Sequence, residues 1–451
     1  MPTTLLRGGL LFEAGGSRYA DVLIKDDGTV LEIGTVRGKV DNEIDARRKL
    51  IYAAFIDCHG HFREPGLTHK ETIATGSRSS LEGGVTTFCE MPNTVPPTVT
   101  IAAFAEKVRI AAETACIDMR FFFGMTEPAH LEEFLRMMDS DAEDMKALRA
   151  RCCGVKLYFD HSTGDQKVDA SMIGDVFAAC AARDIQIVGH CEDPLINAQA
   201  SKKGPDGIAS SHSLRRPAAA EASSIAKAMQ LAKDHNARFH VAHLSTGVGA
   251  RILEDAQKNG VRATGETAPH YLYCTIDDYA ALGARIKMNP PMRTAEDRDA
   301  LWEAIKRRVI TVVSTDHAPH TLEEKSHADP LRAPSGVPGT ETMIRLMLTA
   351  ASGRSPRPDG WRPPVSLSYG DVRRLCFDEP NRIFQLRKPD IIAGQSPNIV
   401  IIDPYTTEEI RAENLHSKAG WTPFAGWQAH GKVERVLRGG KQAWPLLSPA
   451  A

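Results

Sequence analysis

The alternation of hydrophobic and polar positions divides the chain into two β-rich ends and a longer middle. Residues 1–50 carry short apolar segments separated by glycine and aspartate, a pattern typical of strands joined by turns. The same pattern returns near the C-terminus, at 399–403 and 433–440. Because chain ends commonly lie close together on a domain surface, we expect them to pair into one small sheet or sandwich. The predicted parts of this domain are 1–52 and 391–451.

From 53 to 390, short apolar strands alternate with helical stretches. The predicted strands are 50–56, 85–89, 119–123, 154–158, 185–189, 238–242, 262–266 and 309–314. The predicted helices between them include 101–114, 170–183, 221–235 and 295–308. Repeated alternation implies a parallel sheet, and about eight units in this length favour a closed barrel over an open sheet. We therefore predict an α/β fold: a (β/α)8 TIM-like barrel with a small β-sandwich-like domain formed by both termini.

Composition narrows the function classes. The chain has 451 residues, 42% of them hydrophobic, and a net charge of −2, which is typical of a globular protein and argues against a nucleic acid or an acidic membrane as partner. Its nine cysteines form no C-x-x-C pair, so we expect a reducing, cytoplasmic environment. The N-terminus lacks the apolar core of a signal peptide, and no apolar run reaches the length of a membrane span.

Polar residues follow six of the predicted barrel strands where each strand ends. They are His59, His61, Asn93, Lys156, His190, His243 and Asp316. His59 and His61 are two positions apart, so they leave their strand on the same side. In barrels, chemistry takes place at the C-terminal ends of the strands, and imidazole and carboxylate groups are common zinc ligands. A His-x-His pair alone is weak evidence for a metal site. Because all these residues lie at the same end of their strands, together they predict a metal site at one rim of the barrel.

Lys156 is an unusual member of this set, because a protonated lysine is a poor metal ligand. Burial lowers a lysine pKa, and a neutral amine can react with CO2 to form an anionic carbamate. A carbamate has two oxygens and can bridge two metal ions. The alternative is a lysine that extends its ammonium group to solvent, and spacing alone does not decide between them.

Seven segments carry a resemblance to a known family. They are 57–66, 83–87, 91–94, 154–158, 266–272, 314–320 and 336–343. In this order along the chain, they resemble the motifs of the dihydroorotases, which belong to the cyclic amidase group of the amidohydrolase superfamily. The resemblance spans about 50 to 430. It implies a (β/α)8 barrel with a small β domain from both termini, as the hydrophobic pattern predicts.

The resemblance also implies roles for the rim residues. His59 and His61 would bind one zinc ion together with Asp316, and carboxylated Lys156 would bridge to a second zinc ion. His190 and His243 would hold that second ion. A hydroxide between the metals would be the nucleophile, and Asp316 would act as general base and then as general acid. The implied reaction is the reversible interconversion of L-dihydroorotate and N-carbamoyl-L-aspartate in pyrimidine biosynthesis.

The implied substrate carries a carboxylate, and the sequence offers a cationic side chain that can bind it. Arg63 lies two residues beyond His61 and can bind a carboxylate through two parallel hydrogen bonds. The further predicted substrate contacts are Asn93, Asn289, His320 and the backbone at Pro338 and Gly339. The alternative for Arg63 is a salt bridge with Glu64 or Glu71.

Several neighbouring residues receive other predictions. His317 is left outside the site, His270 is expected in the core or behind a ligand, and Glu192 is expected to be a solvated rim charge. The segment 160–165 is either a loop that closes on substrate or an ordinary connection.

Two alternative functions stay open. The first is a sister cyclic amidase, either an allantoinase or a hydantoinase of the dihydropyrimidinase type, whose substrates lack the carboxylate. The second is a non-catalytic dihydroorotase-like barrel that supports aspartate transcarbamoylase. For the assembly, we predict a homodimer with possible docking to other enzymes of the pyrimidine pathway.

Overall fold

The computed structural model describes residues 2–161 and 166–445. Its strands are β1 (Thr3–Glu13), β2 (Gly16–Lys25), β3 (Val30–Gly34), β4 (Asn42–Asp45), β5 (Leu50–Ala53), β6 (Phe55–Gly60), β7 (Val85–Glu90), β8 (Asp118–Gly124), β9 (Cys152–Tyr158), β10 (Ile187–His190), β11 (Phe239–Val241), β12 (Ala263–Thr267), β13 (Val312–Val313), β14 (Ile399–Glu409), β15 (Gln428–Arg438) and β16 (Lys441–Trp444).

The helices lie mainly between the strands from β6 to β14. They are α1 (Ile73–Glu82), α2 (Ile101–Thr114), α3 (Pro128–Asp139), α4 (Glu143–Arg149), α5 (Ile173–Ala181), α6 (Pro194–Ala200), α7 (Ser211–Arg215), α8 (Ala218–His235), α9 (Gly247–Lys258), α10 (Pro269–Tyr273), α11 (Tyr279–Leu282), α12 (Ala295–Lys306), α13 (Leu322–Lys325), α14 (Met343–Ala351), α15 (Tyr369–Arg373) and α16 (Glu379–Ile383).

Strands β6 to β13 form a parallel sheet in which each strand pairs with the next along the chain. The sheet closes between its first and last strands through a parallel bridge between Gly60 and His317, where the His61 amide donates to the His317 carbonyl at 2.7 Å. Every residue of β6, β7 and β10 is buried, as expected for strands covered on both faces. The predicted (β/α)8 barrel is therefore confirmed.

The two chain ends form a second sheet, as predicted. Its strand order is β16-β15-β14-β5-β1-β2-β3. β4 also pairs with β1, along Thr4 to Arg7, whereas β5 pairs with β1 at Leu10 and Leu11. The pairs include both parallel and antiparallel neighbours, so the sheet is mixed. All these strands belong to one hydrogen-bonded sheet. The sandwich-like arrangement that we expected is thus a single mixed sheet.

The predicted strand 50–56 is wrong in one respect, because it is two strands. β5 pairs with β1 and β14 in the terminal sheet, whereas β6 begins two residues after β5 ends and opens the barrel. Both strands are fully buried, so the run of apolar residues shows no break where the chain passes from one sheet to the other. The crossing therefore lies at Ala54.

The other predicted elements differ mainly at their ends. α2 has the predicted bounds, and Thr100 begins it by accepting a hydrogen bond from the Ala103 amide. The predicted strand 309–314 is reduced to Val312–Val313, because β13 pairs with only one full neighbour. Among the described residues, no helix combines the length and the apolar character that crossing a membrane requires.

Candidate metal and substrate site

Most of the predicted rim residues meet in one small cavity at the C-terminal end of the barrel. Seven of the predicted residues line it: His59, His61, Asn93, His190, His243, Asn289 and Asp316. The remaining lining residues include Tyr158, whose hydroxyl is buried and has no hydrogen-bond partner among the described residues. Sequence reasoning missed Tyr158, although it ends the same strand as Lys156.

Two histidines and a carboxylate form the first ligand group. The Nε2 atoms of His59 and His61 lie 3.5 Å and 3.1 Å from Asp316 Oδ1. One ligand atom from each of the three residues falls within 4.8 Å of the others, and all three side chains are buried. This is the size of a set that can surround one ion, since zinc lies about 2.0–2.2 Å from nitrogen and oxygen ligands.

His190 and His243 form the second ligand group. His190 Nδ1 lies 3.0 Å from His243 Nε2, so the two ring nitrogens face each other. Two nitrogens bound to one tetrahedral zinc ion would be about 3.3 Å apart. The His59 ring lies 5.1 Å from the His243 ring, centroid to centroid, so the two ligand groups adjoin.

In three of these rings, the nitrogen that does not face the other ligand residues contacts an oxygen acceptor. Glu266 Oε1 contacts His59 Nδ1, Asn93 Oδ1 lies 2.5 Å from His61 Nδ1, and Glu192 Oε2 lies 2.9 Å from His190 Nε2. Because such oxygens accept, the ring nitrogens that face them must donate. The lone pair of each ring is then on the inner nitrogen, where a metal would bind.

The expectation for Glu192 is therefore wrong, because this residue is fully buried. It also accepts hydrogen bonds from Arg216 Nε at 3.0 Å, which compensates its charge and holds the pKa of its carboxyl well below the usual range. Glu266 was missed as well. Glu266 ends the predicted strand 262–266, so selecting polar residues at the C-terminal ends of the predicted strands could have identified it.

Burial keeps the histidines neutral. It lowers the pKa of His59 to about 4, and it lowers the pKa values of His61, His190 and His243 below the ordinary histidine range. The nearby Lys156 ammonium also lowers the pKa of His59, because it repels a second positive charge. At neutral pH these rings are uncharged, and a neutral imidazole is the form that coordinates a metal.

Lys156 is fully buried on β9, and its Nζ has no hydrogen-bond partner among the described residues. Burial lowers the pKa of this amine to about 8, although the carboxylates of Glu266 and Asp316 raise it. The solvent-exposed alternative for Lys156 is therefore wrong. A buried amine without a hydrogen-bond partner lowers the stability of the folded protein, so a bound or attached group beside Lys156 would be stabilising.

The same surroundings act on Asp316. Burial raises the pKa of its carboxyl well above the ordinary value, and the Lys156 ammonium opposes that rise. Taken together, the neutral imidazoles and the buried carboxylate fit a metal site, and the buried amine beside them has no hydrogen-bond partner among the described residues.

The backbone is unusual where it presents these side chains. Arg63, His243 and Asp316 have φ values of 64°, 36° and 44°, in the left-handed region that non-glycine residues rarely adopt. Gly60, between the two histidines of β6, has no room for a side chain, because a Cβ would lie 2.3 Å from Phe88 Cζ. The Phe88 ring therefore occupies the space that a side chain between the two histidines would need.

Arg63 is 1% exposed and lies beside the ligand group without joining it. Its Nε donates to the Pro319 carbonyl at 3.1 Å, and its Nη2 lies 3.2 Å from His320 Nε2. It makes no ion pair with any carboxylate in the described part of the chain, so the alternative salt bridges with Glu64 and Glu71 are wrong. Glu64 instead accepts from the Ile73 amide.

The other predicted substrate residues occupy different places. Asn289 lines the cavity, and its Oδ1 accepts from His212 Nε2 at 2.8 Å. Pro338 and Gly339 line a separate small cavity, and the Gly339 amide donates to His317 Nδ1 at 3.0 Å. His317, left outside the predicted site, thus anchors the segment that contains both residues.

Two further expectations concern neighbouring residues. His270 is buried, and its Nε2 has no hydrogen-bond partner among the described residues. The hydroxyl-bearing residues of the 160–165 loop, Ser162 and Thr163, lie outside the described residues. Asp160, at the start of this loop, accepts from Asn197 Nδ2 at 2.7 Å.

Comparison with known proteins gives a consistent result. Residues 50–443 match the model of the amidohydrolase family. A dihydroorotase of Halobacterium salinarum is 39% identical over 391 residues, which is 86% of this chain and 84% of that protein. A dihydroorotase of Shouchella clausii is 34% identical over 444 residues and covers 97% of both chains.

Similar solved structures include cyclic amidases of another substrate class. The L-hydantoinase (dihydropyrimidinase) of Arthrobacter aurescens aligns with a TM-score of 0.88 at 26% identity, covering 98% of this chain and 96% of its own. The resemblance to dihydroorotases is confirmed by the relatives at higher identity. The chain belongs to the amidohydrolase family, within a group of relatives named dihydroorotase.

Proposed function

We propose that this protein is a dihydroorotase, which interconverts L-dihydroorotate and N-carbamoyl-L-aspartate. The observation that carries the proposal is the buried guanidinium of Arg63, which makes no ion pair with a carboxylate among the described residues and feels the carboxylates of Glu90 and Asp316 only from a longer distance. Taking a charge out of water costs several kcal/mol unless a counter-charge compensates it. The carboxylate of dihydroorotate would supply that counter-charge beside the ligand residues. The dihydroorotase relatives at 31–39% identity support the same substrate.

The proposed metal centre holds two zinc ions. His59, His61 and Asp316 would hold one, and His190 and His243 the other, with a carboxylated Lys156 as the bridge. In forming the carbamate, the neutral amine nitrogen attacks CO2, a C–N bond forms, and the nitrogen loses a proton. When bound, zinc would polarise the substrate carbonyl and lower the pKa of a bound water.

Asp316 would carry out the proton transfers of the reaction. In hydrolysis, Asp316 takes a proton from the attacking water on a carboxylate oxygen and delivers it to the ring nitrogen as the amide bond breaks. In ring closure it carries the proton the opposite way.

Substrate orientation is assigned to residues around the ligand groups. Arg63 would bind the carboxylate, and His320 supports it from the side of Pro319. Asn289 and Asn93 line the cavity and would offer their amide nitrogens to the substrate ring, since their oxygens accept from histidines. The backbone at Pro338 and Gly339 would contact the substrate ring, and the hydrogen bond from the Gly339 amide to His317 would hold this segment in place.

A substrate panel tests this proposal. The zinc-loaded protein is assayed with dihydroorotate, allantoin, dihydrouracil and hydantoin under the same conditions, and kcat/KM is compared. We expect dihydroorotate to be turned over best, because only this substrate of the panel brings a ring carboxylate to Arg63. A higher kcat/KM for any of the other three would reject the proposal.

The hydantoinase alternative has specific support from the L-hydantoinase structure, which aligns over nearly the whole chain. It would leave the metal ligands with the same roles and Arg63 without a substrate partner. The panel above separates the two functions. A protein without activity on any substrate and with less than one zinc ion per chain would instead support the non-catalytic alternative. The homodimer, the docking to pathway enzymes and the cytoplasmic location remain predictions.

A further inference from the structure

A second cavity, of about 740 Å³, lies at the opposite, N-terminal end of the barrel. Residues that begin or precede strands β9, β10 and β11 form its wall, among them Cys152, Gln186 and Arg238. Ile383, which ends α16, and the segment 384–389 that follows it close one side. We call it the basic cavity, because six cations and one carboxylate line it. The cations are Arg120, Arg149, Arg183, Arg238, Arg387 and Lys388.

The positive charge of the basic cavity is only partly compensated. Asp184 in its wall pairs with Arg238 at 3.4 Å, and Asp118 and Asp139 pair with lining cations from outside. Asp118 and Asp184 are also shared with Arg151 and Arg262. Within this set of ion pairs, six cations meet three carboxylates, and Arg149 and Arg387 add two further cations that belong to no ion pair among the described residues. Because the whole chain has a net charge of −2, this excess is a local feature.

Several of these cations have hydrogen-bond donors to spare. Arg387 is exposed and makes no hydrogen bond or ion pair in the described parts of the chain. Arg149 donates only to backbone carbonyls, including Met138 O at 2.8 Å, and has no carboxylate partner among the described residues. The Nε of Arg120 is buried and has no hydrogen-bond partner in the part of the chain that the structure describes. A multiply charged anion would satisfy such donors by charge-assisted hydrogen bonds.

We propose that the basic cavity binds the polyphosphate group of a small phosphorylated metabolite. Guanidinium groups match phosphate oxygens in geometry and remain charged at any physiological pH. The volume lies within the range of small-molecule sites. Met138, Ile185 and Leu386 in the wall add apolar surface for an organic part of the ligand. The site shares no lining residue with the metal cavity, so it is independent of the proposed catalytic function.

Calorimetric titration of the zinc-loaded full chain with inorganic tripolyphosphate tests the proposal. We expect saturable binding to one site, weakened by added salt because screening reduces the attraction. Arg387→Glu should weaken binding by at least about tenfold, the effect of losing one charge-assisted contact. Since Arg387 contacts nothing else by a polar bond, this variant should keep the thermal unfolding temperature of the wild type. Lys388→Gln, which removes a charge deeper in the cavity, should weaken binding as well.

The matched control is Arg37→Gln, which removes an exposed arginine of the terminal domain and should leave the affinity unchanged. Chelation of zinc by the probe affects all variants alike, so only differences between variants are interpreted. Equal affinities for the wild type and both cavity variants, or no saturable binding at low salt, would overturn the proposal.

A second titration with ATP separates the two sources of a polyphosphate group. Equal affinity for tripolyphosphate and ATP would mean that the phosphates alone are recognised. Tighter binding of ATP by tenfold or more would mean that the apolar wall also contacts the nucleoside. In both cases, Arg387→Glu should weaken binding by a similar factor.

Discussion

The two ends of the barrel collect cationic residue types for different purposes. At the C-terminal end, four histidines and Lys156 are buried together, and burial lowers the pKa of each. At the N-terminal end, five arginines and Lys388 line a solvent-facing cavity. Nearly equal numbers of basic side chains thus produce neutral imidazoles around a lysine of lowered pKa at one end and an excess of positive charge at the other.

The difference follows from the chemistry of the side chains. Imidazole and amine groups lose their proton when burial penalises the charged form, and they then present a lone pair. A guanidinium has no accessible neutral form, so it can bind anions and cannot coordinate a metal. Arg63 illustrates the rule beside the first ligand group, where it remains charged next to neutral histidines and, in the proposed function, binds the carboxylate of the substrate.

The largest effect is expected for Asp316→Asn. The amide can neither take the proton from the attacking water nor complete the first ligand group, so kcat should fall by about 10³-fold or more. Steady-state rates in both directions, with the zinc content, measure this. Asp27→Asn, on a turn of the terminal domain, is the control and should keep full activity. Activity within tenfold of wild type would remove Asp316 from the proposed mechanism.

Arg63→Gln should have the next largest effect. Losing a buried, charge-assisted contact to the substrate carboxylate should lower kcat/KM for dihydroorotate by about 10²-fold, since such contacts contribute about 1.5–3 kcal/mol. The zinc content should stay that of the wild type, because Arg63 touches no metal ligand directly. If the variant instead loses zinc, Arg63 is a structural residue of the metal centre.

Glu266→Gln tests the residues behind the histidines. The amide keeps the shape of Glu266 and removes the charge that makes His59 a more basic ligand. Zinc affinity or activity should therefore fall by about 10-fold to 100-fold. Glu379→Gln, which breaks only a surface ion pair with Arg382, is the control. An unchanged zinc affinity, measured by competition with a chelator, would contradict this role.

The smallest graded effect concerns pH and Lys156. In the metal-free protein, the pKa of about 8 means that the neutral amine increases about tenfold per pH unit up to pH 8 and then levels off. Reactivation by zinc at a fixed concentration of dissolved CO2 should follow the same curve. A lysine with an ordinary pKa would give a rate that still rises at pH 10. Lys156→Arg should not reactivate at any pH, because a guanidinium forms no carbamate.

The fold was largely predictable because its signals are local. Alternating apolar segments and amphipathic stretches repeat along the chain, and parallel strands joined by helices have few ways to close. The exception is the run at 50–56, where β5 and β6 are both buried and no polar residue marks the change of sheet. The pairing partners that separate them lie hundreds of residues away in β14 and nearby in β7.

The site was predictable where residues share a strand end. His59, His61, His190, His243 and Asp316 all follow the C-terminal end of a strand, so the topology alone brings them to one rim. Glu192 shows the limit of this rule, because its burial depends on Arg216, which is distant in sequence. The basic cavity shows the same limit, since its cations come from five separate segments of the chain.

By itself, the sequence determined which chemistry the barrel can carry: the spacing of the histidines, the lysine within an apolar run and the arginine beyond the His-x-His pair are local facts. Only the tertiary structure decided the charge and orientation of those groups. Burial set the pKa of Lys156 and the histidines, and Glu266, Asn93 and Glu192 fixed which ring nitrogen donates. The physical reason is that desolvation and hydrogen bonding depend on neighbours brought together by folding, which no local pattern specifies.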